Sequence, residues 1–445
     1  MFETPAVAYS TVDEKPRGWP SATALVGSAG IVATAAVFGH RLNAQHPEIK
    51  LGAAPLVGAW HWRFSAASLA AVVLAAVVIV TARSFVNGQS FRSVLVGSAL
   101  MAIAFSFALA ASDGIRAVIT PVIHESEYWD NLDVLPSSGR MLEWFAQRDF
   151  LRYFSVHLKG HPPGFILLLK GFAAIGLGSP WIAVALSYLG IGAMVIGVLV
   201  TVRLVVSDSA ARRVAPFLAL APFSMWLGTS ADVFFAGVGA ISVALVAFSL
   251  TARSEASGRI AAIGAGLCFG ALMFLTYAAI TFAIIPAMIT ISCREVPWRA
   301  RIERSLIATV SLLVVAGIFR GYGFWWFDGL RNTNWFYWHG TAAFRPWTYF
   351  LLANLGAALI ALGPAVLVGI ANLRRTPLWI LVGASLACMT AAAISQYTKG
   401  EVERIWILFY PWTLPAVAVL RSPRRWLIAQ ALLVVVLQAA LVSKW

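Results

Sequence analysis

The residues that could do chemistry crowd into one stretch, DGIRAVITPVIHESEYWDNLDVLPSSGRMLEWFAQRDFLRYFSVHLKGHPPG, which runs from Asp113 to Gly164. It holds Glu125, Glu127, Asp130, Asp133 and Glu143 together with His124, His157 and His161. Carboxylates facing an acceptor hydroxyl act as general bases in group transfer. The same carboxylates leave open a divalent ion held by oxygen ligands. No CxxC or Cys/His cluster marks a metal site, so no metal ligand is assigned. A second group, Lys399-Gly400-Glu401-Val402-Glu403-Arg404, offers an ammonium and a guanidinium suited to a phosphate, or else an interfacial charge pair. Asp232, in Gly-Thr-Ser-Ala-Asp, stands where a carboxylate either binds substrate or caps a helix. Trp325, Trp326 and Trp335 belong to a tryptophan-rich loop. Such a loop suits the membrane-interface belt and equally stacking on sugar rings. No Walker, GxSxG, HExxH or dinucleotide glycine fingerprint is present, so ATP-driven transport and the common hydrolase designs lack support.

These groups must be held by a bundle of apolar helices. The 445 residues are 60% hydrophobic and 12% charged, with a mean hydropathy of +0.80. Soluble domains are about 45–50% apolar and about 25% charged. Runs long enough for a bilayer, about 20 apolar residues each, recur from end to end. The predicted spans are 24–39, 65–82, 93–111, 181–201, 214–229, 231–251, 260–275, 277–292, 305–321, 347–370, 377–395, 406–420 and 426–443. The fold class is therefore all-α integral membrane, with about thirteen transmembrane helices and an external loop bearing juxtamembrane helices. Residues 1–20 form a polar tail and 21–445 one polytopic domain, with no cleavable signal peptide evident. Residues 113–180 form the external loop.

The net charge of +14 does not indicate nucleic acid, because the arginines fall in short clusters between apolar runs. With Lys15 and Arg17 inside, the turns 83–92, 202–213, 252–259, 293–304, 371–376 and 421–425 all face the cytoplasm, and each carries at least two arginines. The pattern closes only if 162–178 does not cross. That segment is short, opens on Pro162-Pro163 and contains Lys170, as expected of a helix at the outer interface. The loops 40–63, 113–161, 322–346 and 396–405 then face outward. The placement expected is a bacterial-type plasma membrane, with a cytoplasmic N-terminus and an external site.

Ser126-Glu127-Tyr128 in the first large external loop, then Gly160-His161-Pro162-Pro163-Gly164 opening an interfacial helix, resemble the membrane glycosyltransferases of the C fold. The nearest group is that of protein O-mannosyltransferases and bacterial aminoarabinose transferases. Thr229-Ser230-Ala231-Asp232 is similar to that group's acidic residue at the outer start of a span. Lys399 through Trp406 looks like a signature of uncharacterised bacterial members. Ser126 replaces the first acid of the family's Asp-Glu pair, and two spans rather than the usual arrangement precede the loop's own span. The resemblance implies transfer, with inversion, from a polyprenyl-phosphate-linked sugar to an external acceptor. In that reading Glu127 is the base, Asp130 the second choice, and His161 orders the loop or touches the phosphate. Lys399 and Arg404 hold the lipid phosphate, the three tryptophans stack on sugar or acceptor, and Asp232 contributes to substrate binding. The partners are the lipid-linked donor, membrane lipids and an acceptor that is a glycan, lipid or protein. A divalent metal is left open, and no other cofactor is named. Two further readings remain. A transporter or flippase of a lipid-linked sugar or small solute should place ionisable groups at mid-span in repeated halves, and neither is seen. A non-catalytic assembly protein should tolerate loss of the external carboxylates.

Overall fold

The structure, a computed structural model, describes residues 19–228 and 230–443, with side chains from Ser21 onward. Lys15 and Arg17, read as marking the cytoplasmic side, lie outside the described residues, as does Thr229. Most of the described backbone is helical. Besides an isolated bridge between Ala53 and Leu56, its β structure among the described residues is a two-residue antiparallel ribbon that pairs Ala59–Trp60 with Leu441–Val442. A bilayer imposes this economy, because each backbone N–H and C=O at membrane depth must find its partner within the chain.

Among the described residues, eight helices are long and apolar enough to cross: Ser21–Gln45, Ser68–Gly88, Phe91–Asp113, Trp181–Val205, Ala231–Thr251, Glu255–Leu275, Trp298–Gly321 and Trp347–Ala371. The chain is thus an all-α, multi-pass membrane protein. The other five expected spans are not long α-helices, and the sequence shows why. The 214–229 segment is split into Asp208–Ala219, with Pro216 inside, and a 3-10 turn over Pro222–Trp226. The 277–292 segment is two short helices, Ala279–Phe282 and Ile284–Ser292. Leu378–Ile394 has 17 residues and Pro423–Ala440 has 18, the latter opening on Arg424 and Arg425. The 406–420 segment, interrupted by Pro411 and Pro415, is a chain of 3-10 turns from Trp406 to Val419. At about 2.0 Å per residue those turns extend roughly 28 Å. Such backbone is tolerated at depth only when wrapped in protein, and nearly every residue of this run is buried. The helix after the double proline, Gly164–Ala174, has 11 residues. At about 1.5 Å each it covers roughly half a hydrocarbon core, so it is too short to cross.

Hydrogen bonds between turns sort the two ends of the bundle. At one end Arg212 donates to the carbonyls of Val86 and Gln89 and pairs with Asp208, which also pairs with Arg203. Arg213 reaches the Ala418 carbonyl. Arg304 and Arg259 bind Glu255 and Glu303, and Asn372 donates to Ser21. The arginine-bearing turns therefore meet in groups at this end, 202–213 with 83–92 and 252–259 with 293–304. The opposite end gathers 40–63, 113–161, 322–346 and 396–405. There Arg345 donates to the Ile49 and Lys399 carbonyls, Arg63 pairs with Asp113, and Thr333 donates to the Lys159 carbonyl.

Small residues let the central helices approach. Gly190 and Gly237 meet across Trp181–Val205 and Ala231–Thr251, and a Cβ on either would fall within 2.6 Å of the other helix's backbone. Close backbone contact of this kind replaces the hydrophobic drive that lipid cannot supply. In Trp347–Ala371 the helix breaks at Gly363-Pro364. The buried Gln430 answers both freed groups, donating 3.0 Å to the Leu362 carbonyl and accepting at 3.4 Å from the Ala365 N–H.

Candidate functional site

Four elements converge at the end opposite the arginine turns, and the sequence explains how each is held. The 124–131 turn is tied to the following helix by Asn131, which is buried. Its amide donates 2.9 Å to the Glu127 carbonyl and its oxygen accepts from Ser155 N–H at 3.1 Å. Ser155 caps Val156–Gly160 by accepting from Leu158 N–H, and His157 N–H donates to the Ser126 carbonyl at 3.2 Å. These bonds face Glu127 toward His157. From the helix Ala231–Thr251, Asp232 is oriented by Ser230, which accepts from its N–H at 3.1 Å and donates to Oδ2 at 2.8 Å. This cap also places a carboxylate where the helix dipole favours one.

The fourth element is the 396–405 turn. Gly400 has φ +87° and Glu401 φ +64°, both left-handed. A residue without Cβ suits the first, and Glu401 is a strained exception. The strain is held by buried Asn354, which donates to the Thr398 carbonyl at 2.5 Å and accepts from Gly400 N–H at 3.0 Å. Arg345 adds a donor to the Lys399 carbonyl and lies 3.3 Å from Glu401.

The result is one buried line of charge. Glu127 Oε1 lies 2.9 Å from His157 Nδ1. His157 Nε2 lies 3.1 Å from Arg404 Nη2. Arg404 Nη1 pairs with Asp232 Oδ2 at 2.8 Å, and Glu401 Oε2 stands 3.8 Å from Arg404 Nη2. A guanidinium has no lone pair to offer, so Nε2 of His157 is the acceptor, while Nδ1 stands at ion-pair distance from Glu127 without hydrogen-bond geometry. Glu127 thus stands beside an imidazole that Arg404 holds from behind, a carboxylate and an imidazole side by side as general-base chemistry uses them.

Two aromatic side chains roof the line. Tyr128 stacks on His157 with ring centroids 5.9 Å apart and meets Phe165 edge-on at 5.0 Å. Burial pushes its phenol well up, reinforced by the negative charges of Asp232 and Glu127. His161 sits 6.2 Å from His157. Burial holds its imidazole down at about 4, helped by His157 and Arg404 and opposed by Asp232. His161 is thus neutral at physiological pH. A cavity of about 10 Å³ opens beside Glu127, walled by Tyr128, Trp129, Ser187 and Ala231. That is roughly one water's worth of space.

The other expected site residues fall elsewhere. Asp130 is exposed on the 129–131 turn and faces away from Glu127's partner. Lys399 is buried, donates to the Ala342 carbonyl at 3.2 Å and lies 4.1 Å over the Trp338 ring, with its ammonium pulled down by burial. Trp326 is a core residue, its indole N–H donating to the Met273 carbonyl at 2.7 Å. Trp325 and Trp335 are partly exposed. Trp335 stacks on His339 at 4.0 Å beneath Arg148. The helix Trp326–Trp338, capped by Trp325, touches two of the site's elements: Thr333 donates to the Lys159 carbonyl, and Tyr337 Oη accepts from the Lys399 N–H at 3.0 Å.

His157, Glu401 and Arg345 carried no assigned role in the sequence, yet they complete the line. The spacing of His157 and His161, four apart, was the available signal; nothing marked Arg345. Among the described residues no group of three or more His, Cys, Asp or Glu is placed to hold a metal ion. The model of no known protein family matches the chain, and no curated protein is similar enough to stand as its relative.

Proposed function

We propose that the protein is a membrane glycosyltransferase that moves a sugar from a polyprenyl-phosphate donor to an acceptor on the non-cytoplasmic side. The observation that supports this most is the convergence of Glu127, His157, Arg404 and Asp232 from four separate segments. Glu127 takes the proton of the acceptor hydroxyl as its oxygen bonds to the anomeric carbon. The bond from that carbon to the phosphate oxygen breaks, and the lipid phosphate leaves with the electron pair. His157 stands beside Glu127, and Arg404 holds that imidazole through Nε2. Stabilising the departing phosphate requires cations. Lys399 and Arg404 keep that role in the proposal, Arg404 by exchanging Asp232 or Glu401 for the phosphate. His161 lies beside His157, and Trp325 and Trp335 keep the stacking role only as the resemblance implies it. A divalent ion is neither required nor excluded by this scheme.

The same reading takes thirteen crossings in a bacterial-type plasma membrane, with the N-terminus in the cytoplasm. Two facts favour it. The arginine-bearing turns share one end of the bundle and the carboxylate-bearing loops the other, as the positive-inside rule requires. The 3-10 run from Trp406 to Val419 is also long enough to connect the two ends.

The test is Glu127→Gln assayed for transfer from a synthetic polyprenyl-phosphate sugar in reconstituted vesicles. The expected result is loss of transfer by 10²-fold or more, in keeping with removal of a general base, with insertion and melting unchanged. Full activity in Glu127→Gln removes it as the base, and donor movement across the vesicle without transfer points to a flippase instead.

A further inference from the structure

We propose that the cleft between Ala231–Thr251, Glu255–Leu275, Ile284–Ser292 and Trp298–Gly321 binds a phospholipid with an anionic headgroup, taken from the leaflet on the arginine-rich side. The cleft measures about 360 Å³ and is walled by Phe269, Ala287, Ala308 and Leu312 among others, with Arg304 at its end. By position along the helices it occupies the half of the bundle that ends in the arginine turns, away from Glu127.

Four of its five hydroxyl groups, all but that of Thr309, spend their donor within the protein. Ser242 donates to the Ala265 carbonyl, Ser249 to Val246, Thr290 to Pro286 and Ser305 to Arg301. The wall is thus apolar in effect, and at membrane depth the medium that fills an apolar wall is hydrocarbon. On the measure by which one water needs ~10–15 Å³, the space takes at least about two dozen such groups, enough for one acyl chain.

The headgroup follows from charge. Arg304 is buried and lines the cleft, held by Glu255 and Glu303. Its Nη1 is 3.3 Å from Glu303 but lacks hydrogen-bond geometry to any partner. Arg301, at the same mouth, donates to the Thr290 and Ile291 carbonyls. Between residues 253 and 304 there are six arginines against three glutamates. A chain-sized apolar slot with a net cationic mouth is complementary to an anionic lipid and not to a zwitterionic one.

The experiment is native mass spectrometry of the full-length protein in detergent, titrated separately with phosphatidylglycerol, phosphatidylcholine and a polyprenyl phosphate. Phosphatidylglycerol should be retained in preference to both. Arg304→Gln should weaken it about fivefold, the effect of one cation near a membrane surface. Ala287 is exposed at the rim, so Ala287→Phe narrows the slot without touching a charge; it should abolish retention and leave the melting temperature unchanged. Equal retention of phosphatidylcholine, preferential retention of the polyprenyl phosphate, or undiminished phosphatidylglycerol in Ala287→Phe each overturns the proposal. Ala287→Phe decides the matter alone if Arg304→Gln does not fold.

Discussion

The pair Arg404–Asp232 is the sharpest place to test the site's construction. Their side chains are 7% and 10% exposed and 2.8 Å apart. Asp232→Asn leaves the guanidinium with Glu401 at 3.8 Å as its remaining described carboxylate. Arg404→Gln leaves Asp232 with Ser230. Removing one partner of a buried pair costs about 3–5 kcal/mol, because the other charge stays buried and uncompensated. Unfolding entropy of about 2.1 cal/mol/K per residue, over 445 residues, is roughly 0.9 kcal/mol/K. Helices that persist in detergent reduce that entropy, so each single substitution lowers the melting midpoint by at least about 3 °C. The double variant Asp232→Asn/Arg404→Gln buries neither charge, and its loss should fall short of the sum by about 2 kcal/mol or more. The assay is four melting curves, for parent, two singles and double, in one detergent at one pH. Strict additivity of the two single losses would refute the claim that these groups form one coupled buried pair.

Three other outcomes are expected. Burial lifts the Glu403 carboxyl to about 7, so the folded state holds a proton that the unfolded chain releases above about 4.3. Its contribution to stability is full below that pH and is lost as pH rises through 7. Glu403→Gln preserves an acceptor for the Val57 N–H, bonded at 2.9 Å, so its melting advantage over the parent should grow from pH 5 to pH 8; a constant difference contradicts the assignment. Gln430→Leu should cost about 1–3 kcal/mol by orphaning the Leu362 carbonyl and Ala365 N–H at the kink, read as a lower midpoint, and an unchanged midpoint means the kink needs no cross-helix partner. For topology, Gly139→Cys should react with an impermeant thiol reagent from outside intact cells and Ser207→Cys should not; the reverse pattern inverts the orientation.

Hydropathy alone located the membrane domain, because lipid exposure writes itself as uninterrupted apolar runs. It overcounted long helices where the runs contained prolines or were short. Trp406–Val419 is apolar like a span, but Pro411 and Pro415 cannot serve as α-helical donors, so the run becomes 3-10 turns that only surrounding protein makes tolerable. The arginine clusters were equally legible. They fall at or near helix ends, and 202–213 meets 83–92 as 252–259 meets 293–304.

The candidate site divides along the same line. Sequence by itself named Glu127, His161, Asp232 and Arg404, because carboxylates, imidazoles and guanidiniums are rare beside apolar runs and therefore conspicuous. It could not tell that Asp130, three residues from Glu127, would face solvent, or that Lys399 would spend its ammonium on a carbonyl. Nor could it join His157 to Arg404, which are 247 residues apart. Those assignments depend on which helices pack together and how a strained turn at Gly400 and Glu401 aims the next side chain. Composition specifies what must be hidden from water or shown to lipid. Only the packed bundle, by bringing distant turns within 3 Å, decides which hidden charges answer one another.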